Sequence, residues 1–319
     1  MDTVVVAAPP LEQSIRALIE LAVGEDLGMV PATDNKSRPE AVALDRTVAL
    51  TIPSDLTATG KIVARKPGVI CGTFLIPAIL AHYDRRLQSQ IHIADGHNAA
   101  AGAAIAHISG PAGALLAAER VVLNFLGHLS GIATLTSYYV AAAGGKNRVD
   151  NKPLVCDTRK TTPGWRTLEK YAVRCGGGIN HRMGLYDGVM LKDNHLSALR
   201  HQSGASLSVA DITRNIRGHL PPGIKLWLEV DTLEQLREAL PGAADIILLD
   251  NMNVEQLRQA VLWRNAVRPG GPPLLEASGG VTLSTIAAIA ATGVDRISVG
   301  AITHSAPALD LAMDFTEHD

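Results

Sequence analysis

Apolar and polar positions along this chain fall into two regimes. Beyond about residue 148, short apolar runs alternate with stretches of helical period. The runs are Leu154–Cys156, Val189–Leu191, Lys225–Val230, Asp245–Leu249, Leu274–Ala277 and Arg296–Val299, separated by segments such as Leu233–Leu240, Val254–Trp263 and Leu283–Ala291. Near-continuous apolar strands followed by amphipathic helices predict a parallel sheet covered on both faces. Six such βα units predict an α/β fold, an incomplete TIM-like parallel barrel, because eight would need more chain than remains.

Residues 1–147 read differently. Leu11, Ile15, Leu18, Ile19 and Ala22 mark a first amphipathic helix that closes near Gly24. Thr47–Ile52, Gly60–Ala64, Gln90–Ile93 and Ala103–Ile108 have strand content, while Phe74–His82, Ala112–Leu126 and Leu129–Ala143 read as helices. Strands and helices without a βα repeat predict an α+β sandwich domain over 1–147. The barrel then occupies 148–302, and the tail, 303–319, packs back on the first domain. The polar, proline-bearing stretch from Gly28 to Asp45 reads as an exposed insertion with no assigned role.

The residues at the strand ends point to chemistry. Leu154–Cys156 delivers Thr158, Arg159 and Lys160; His181 and Arg182 follow in the connection; Val189–Leu191 delivers Lys192. The later runs end at Glu229, at Asp250, at Ser278-Gly279-Gly280, and at Val299-Gly300-Ala301 with His304 close behind. In a βα barrel all of these open on the carboxyl-terminal face, where such folds do their chemistry. Two neighbouring strands presenting guanidinium, ammonium and imidazole groups make an anion site. Glu229 and Asp250 offer oxygen ligands to magnesium, which keeps several waters and need not touch them directly. Ser278-Gly279-Gly280, placed before a helix from Thr282, offers backbone amides to a phosphate.

Composition narrows the function. The chain has 319 residues, a formal net charge of -2 and 3% aromatic residues, which gives no reason to expect nucleic acid. Cys71, Cys156 and Cys175 are scattered, with no CxxC spacing, and suit a reduced compartment. The amino terminus lacks a basic n-region, and no run reads as a membrane span, so a cytoplasmic protein without membrane partner is expected.

The stretches TRKTTPG, EKYAVRCGGGINHRMGLYDG and KDNH, between Thr158 and His195, resemble the signature of the quinolinate phosphoribosyltransferase family, the carboxylating nicotinate-nucleotide pyrophosphorylases of NAD biosynthesis. The resemblance implies union of quinolinate with 5-phosphoribosyl 1-pyrophosphate, assisted by Mg2+ and no organic cofactor, to give nicotinate mononucleotide, pyrophosphate and CO2. Carried over by position, it implies that Arg159, His181 and Arg182 grip the two quinolinate carboxylates and that Lys160 and Lys192 lie between acid and pyrophosphate. Glu229 and Asp250 would face the ribose and metal, and Ser278, Gly279, Gly280 and Gly300 the phosphate. LLAAERVVLNFLGHLSGIAT resembles a second family block, which implies a homodimer with Arg120 reaching the neighbouring subunit's site.

Blander readings stand beside these. Arg120 alone is a solvated residue paired with Glu119; Gly176–Gly178 is a helix stop; Arg166, Lys170 and Arg174 form an exposed helix face. His82, His92, His97, His107 and His128 have no constellation, and Cys156 is core packing. Lys192 at a strand end also fits a Schiff-base lysine of an aldolase-like lyase, and an inactive barrel could sense the sugar pyrophosphate. The surrounding arginines serve anions better than they activate a lysine.

Overall fold

In the computed structural model, which describes residues 6–28, 44–145, 153–203, 207–267 and 272–316, the chain divides into two units. The first takes in Met1–Ser137, Thr161–Gly177 and Thr303–Asp319, and the second Tyr138–Lys160 and Gly178–Ile302.

The first unit is built on an antiparallel sheet of β1 (Thr57–Ala64), β3 (Gln88–Ile91), β5 (Ala104–Pro111) and β12 (Leu311–Thr316), in the order β12-β1-β5-β3. Ile62 on β1 is fully buried and faces Met313 on one side and Ala106 on the other. A two-strand ribbon joins β2 (Gly68–Val69) to β4 (Asn98–Ala99). Helices α1 (Gln13–Leu27), α2 (Arg46–Thr51), α3 (Ile76–Tyr83), α4 (Ala112–Ala142) and α5 (Arg166–Cys175) complete the element order here.

Several expectations fail in this unit for local reasons. The 47–52 segment is helical, not a strand: the Asp45 carboxylate accepts the Val48 N–H at 3.0 Å and caps the first turn. Helix α1 runs through Gly24 and stops at Gly28, whose φ of 66° closes it. The two helices expected over 112–143 are one. Gly127 and Gly131 do not break it; they let the 307–309 backbone lie close, with Leu309 N–H donating to the Gly127 carbonyl at 2.9 Å. A Cβ at Gly131 would sit 2.1 Å from the Pro307 carbonyl oxygen. By length and apolarity α4 does match a membrane span, against expectation, but 72% of its most apolar window is buried within the protein.

Helix α5 presents no uniformly exposed basic face, because Lys170 is buried beside Glu169. Glu169 accepts from Thr162 N–H at 3.1 Å and lies 2.9 Å from His128 Nε2. His128 meets the edge of Trp165, which stacks on Phe125, so this histidine does have a constellation.

The second unit is a parallel sheet of six strands: β6 (Leu154–Cys156), β7 (Gly188–Leu191), β8 (Lys225–Val230), β9 (Ile246–Asp250), β10 (Leu274–Ser278) and β11 (Arg296–Ser298). Helices α6 (Asp193–Ser203), α7 (Val209–His219), α8 (Leu233–Ala239), α9 (Val254–Val267) and α10 (Ile286–Ala290) lie between strands, and the short α11 (Ala301–His304) follows β11 and runs past the end of the unit at Ile302. The order is β6-β11-β10-β9-β8-β7. Strands β6 and β7 are therefore the two edges, not hydrogen-bonded neighbours as expected. Ile179 lies along β6 instead, its N–H donating to Val155 at 2.9 Å while its carbonyl accepts from Asp157 N–H at 3.2 Å. The barrel is incomplete at this gap.

A repeated staple ties strand starts to helices. Asp245 and Asp295, each just before a strand, accept the N–H of Leu226 and Leu275 on the strand alongside, at 2.6 and 2.8 Å. Each carboxylate also pairs with a helix arginine, Arg217 from α7 or Arg264 from α9. These pairs lie at the amino ends of the strands, opposite the chemistry.

Candidate active site

The polar ends of the six strands surround one cavity of about 320 Å3 within the second unit. Thr158, Arg159, Lys160, His181, Arg182, Lys192, Glu229, Asp250 and Ser278 line it, together with Met190, Leu248 and Ser298. Since β6 and β7 are opposite edges, Arg159 and Lys192 share a cavity only because the sheet curls through its full width.

Local structure aims each group. Thr158 Oγ1 accepts the Lys160 N–H at 3.0 Å, turning the chain as it leaves β6. Asp157, fully buried, accepts the His181 N–H at 2.8 Å and the Asn180 amide at 2.5 Å, so β6 holds the 180–182 connection in place. Arg182 donates one Nη1 bond to the Gly188 carbonyl at 2.8 Å, which ties the connection to β7 and leaves other guanidinium N–H groups of the fork for a ligand. Burial, and then the charge of Arg159, lower the Arg182 guanidinium from its ordinary value, with Asp187 opposing. Arg159 and Arg182 thus repel one another across the cavity, and a bound dianion relieves that repulsion.

On the far side, Lys192 Nζ reaches both oxygens of Glu229, at 2.9 and 2.6 Å. Asp250 ends β9 and accepts from the Asn251 side chain at 2.7 Å. Asn251 has φ of 53°, and its N–H donates to the Ser278 carbonyl at 2.9 Å. Gly279 answers that turn: its φ is 94°, and a Cβ there would lie 2.1 Å from Asn251 Oδ1. The helix expected from Thr282 begins later, at Ile286, after a turn over 283–285. Gly279 and Gly280, both at positive φ, therefore form a left-handed turn rather than a helix start.

Gly279 and Gly280 follow β10, Val299 and Gly300 follow β11, and Ala301 opens α11; none of the five is among the cavity's lining residues. His304 and Arg120 belong to the first unit. His304 is exposed beside Ser305, and Arg120 is exposed with Glu119 3.7 Å away.

Sequence reasoning missed the layer beneath the floor. Glu276 on β10 is fully buried; its Oε2 takes Arg296 Nε at 2.7 Å, and its Oε1 takes the Ser298 hydroxyl. Burial works to lower the Arg296 guanidinium, and Cys156, Glu276 and Asp157 around it more than offset that, leaving it raised. His181 stacks on Trp227 with centroids 4.8 Å apart. The available signal was a charge inside each of two otherwise apolar strands. Burial also pushes the Cys156 thiol up, in keeping with a core cysteine.

Among the described residues no cluster of three or more His, Cys, Asp or Glu could hold a metal by itself. Two carboxylates in the cavity wall fit a magnesium ion that shares its shell with water and substrate phosphate.

Comparison with known proteins finds similarity to one family along most of the chain. The model of the quinolinate phosphoribosyl transferase C-terminal domain matches residues 132–314, and that of the N-terminal domain residues 45–130. A probable nicotinate-nucleotide pyrophosphorylase [carboxylating] of Bacillus subtilis is 44% identical over 257 residues, 80% of this chain and 83% of the relative. The Mycobacterium leprae nicotinate-nucleotide pyrophosphorylase [carboxylating] is 41% identical, over 85% of this chain and 91% of its own. The crystal structure of NadC from Streptococcus pyogenes covers 98% of this chain and 100% of its own with a TM-score of 0.80 at 33% identity. With both domain models matched and such relatives along most of its length, this chain belongs to the quinolinate phosphoribosyltransferase family.

Proposed function

We infer that this protein is a nicotinate-nucleotide pyrophosphorylase (carboxylating) of NAD biosynthesis, which joins quinolinate to 5-phosphoribosyl 1-pyrophosphate and releases pyrophosphate and CO2. The observation that carries the reading is the meeting of Arg159, Lys160, Arg182 and Lys192, from separate segments, around a cavity that also holds Glu229 and Asp250.

A planar dicarboxylate suits the fork geometry of Arg159 and Arg182, which lysine cannot copy. Lys160 and Lys192, compact point charges, face the acid and the pyrophosphate. The C1–O bond of the ribose breaks with its electron pair leaving on pyrophosphate. Glu229 and Asp250 stabilise the positive ribose carbon that develops, and the pyridine nitrogen forms the new bond. Carbon dioxide then departs from the carbon next to that quaternised nitrogen, which stabilises the pair left behind until a proton replaces it. Glu229 and Asp250 would also hold magnesium, which when bound offsets charge on the leaving group. The Gly279–Gly280 turn serves the phosphate of the sugar.

A Schiff-base role for Lys192 fits less well, because its ammonium is engaged by both Glu229 oxygens. The assembly in this reading is a homodimer with Arg120 acting in the neighbouring subunit's site. An Arg120→Ala chain mixed with a Lys192→Ala chain regains activity if the site is shared; absence of any rescue removes the shared site. The three free, buried thiols suit a reducing compartment, and we place the protein in the cytoplasm.

The reaction is tested by incubating purified protein with quinolinate, 5-phosphoribosyl 1-pyrophosphate and magnesium, and measuring nicotinate mononucleotide and CO2 in equal amounts. Turnover of nicotinate in place of quinolinate would reassign the substrate.

A further inference from the structure

We propose that Glu169 is a positioning residue for Lys160: a buried carboxylate that holds the main chain at Thr162, two residues beyond the lysine, and is itself held by His128. The proposal rests on the reading of the cavity as an anion site and extends it to a side chain that does not line the cavity.

A carboxylate is costly to bury unless its oxygens are bonded. Glu169 on α5 is 0% exposed. Its Oε2 accepts the Thr162 N–H at 3.1 Å, and its Oε1 meets His128 Nε2 at 2.9 Å. The carboxylate oxygen accepts, so Nε2 carries the proton in that bond. His128 belongs to the long, largely buried α4, and its ring edge meets Trp165 with centroids 5.0 Å apart. Phe125, also on α4, stacks on the same indole at 4.7 Å.

The segment fixed in this way has no packing of its own. From Thr158 to Trp165 every residue is exposed or half-buried, so hydrogen bonds set its path. Thr162 is gripped at both main-chain groups: Glu169 takes its N–H, and its carbonyl accepts the Trp165 N–H at 3.0 Å. Arg166 Nε donates to the neighbouring Thr161 hydroxyl at 3.0 Å. On the other side of the lysine, Thr158 Oγ1 accepts the Lys160 N–H at 3.0 Å. Lys160 is thereby suspended between two fixed points, and the second depends on a carboxylate anchored to α4. Glu169 passes the rigidity of the core to an exposed turn whose ammonium group faces the ligand.

Two substitutions and a double-mutant cycle test this. In Glu169→Gln the amide oxygen can still accept from Thr162, and the amide nitrogen can donate to His128 once the ring proton moves to Nδ1. Glu169→Leu buries no polar group and releases the Thr162 N–H to water. Glutamine is expected to keep kcat/KM for quinolinate within about threefold, and leucine to lower it by about tenfold or more through misplacement of Lys160. In a Lys160→Met background the leucine substitution should cost no more than about twofold, because the group it misplaces is gone. An undiminished loss in that background, or no loss in the wild-type background, overturns the proposal. Amide hydrogen exchange over 158–165, measured without substrates, reads the same point without catalysis. Exchange at Thr162 should quicken with leucine and stay near wild type with glutamine; exchange unchanged by leucine overturns the proposal. Absence of quinolinate turnover in the wild-type protein would count against the proposed reaction and leave the exchange result to decide the role of Glu169.

Discussion

Replacing Glu229 with glutamine separates binding from catalysis at the carboxylate that faces the sugar. Glu229 holds Lys192 Nζ at 2.9 and 2.6 Å, so an anion must compete with it for the lysine. Two unit charges about 4 Å apart attract by about 4 kcal/mol at an effective dielectric near 20. The Lys192 side chain is 45% exposed and that of Glu229 18%, and partly solvated pairs contribute no more than about 1 kcal/mol. Freeing Lys192 therefore lowers the KM for 5-phosphoribosyl 1-pyrophosphate by up to about fivefold. Removing negative charge from beside the developing ribose cation lowers kcat by about 100-fold, or about 2.7 kcal/mol, the size expected for one preorganised electrostatic group. Initial rates with each substrate varied, followed through CO2 release from carboxyl-labelled quinolinate, give both constants. An unchanged kcat would refute the electrostatic step, and a raised KM with unchanged kcat would reduce Glu229 to a binding group.

The staples at the amino ends of the strands make a stability prediction. Arg264→Met removes the partner of Asp295 at a site where the arginine side chain is 5% exposed; Asp295 keeps the Leu275 N–H, so the loss is about 2 kcal/mol, a Tm fall of about 3 °C in a thermal melt. Arg217→Met costs less, because that side chain is 35% exposed; the opposite ranking would contradict the burial argument. Hydrogen bonding from Arg86 holds the Asp84 carboxyl below its usual range. A depressed folded-state value means stability that is present above the ordinary carboxylate pKa and lost as pH falls through the lowered one. Arg86 is 71% exposed, so Arg86→Ala costs less than about 1 kcal/mol at neutral pH. Denaturant melts should show the difference closing in strong acid; a gap that survives there speaks against the linkage.

The barrel was legible because its strands are buried on both faces and so appear as plain apolar runs, of which Ile246–Asp250 and Leu274–Ser278 are clear cases. Strand ends were legible for the same reason: Lys192, Glu229 and Asp250 stand out against what precedes them. Period alone failed where it was ambiguous. Thr47–Ile52 alternates like a strand, and only the Asp45 cap decides for helix. Gly127 looked like a helix break because the chain segment that passes over it lies far away in sequence. The expected adjacency of β6 and β7 failed because Ile179, in the connection between them, pairs along one side of β6 while β11 pairs along the other. Glu276 and Arg296 read as isolated charges, twenty residues apart, until the parallel register of β10 and β11 sets them opposite one another. The six-residue strand β12 returns to β1 with a pairing that its own pattern does not specify.

In this reading, cations from separate strand ends converge to hold a diacid. Calorimetric titration of quinolinate alone into the wild-type, Arg159→Met and Arg182→Met proteins tests it most directly. Each substitution is expected to weaken binding by about 30-fold or more, since each removes a charge-assisted fork from a partly buried pair. Wild-type affinity in both variants would mean that the acid binds elsewhere, and the site described here would not be the one that makes nicotinate mononucleotide.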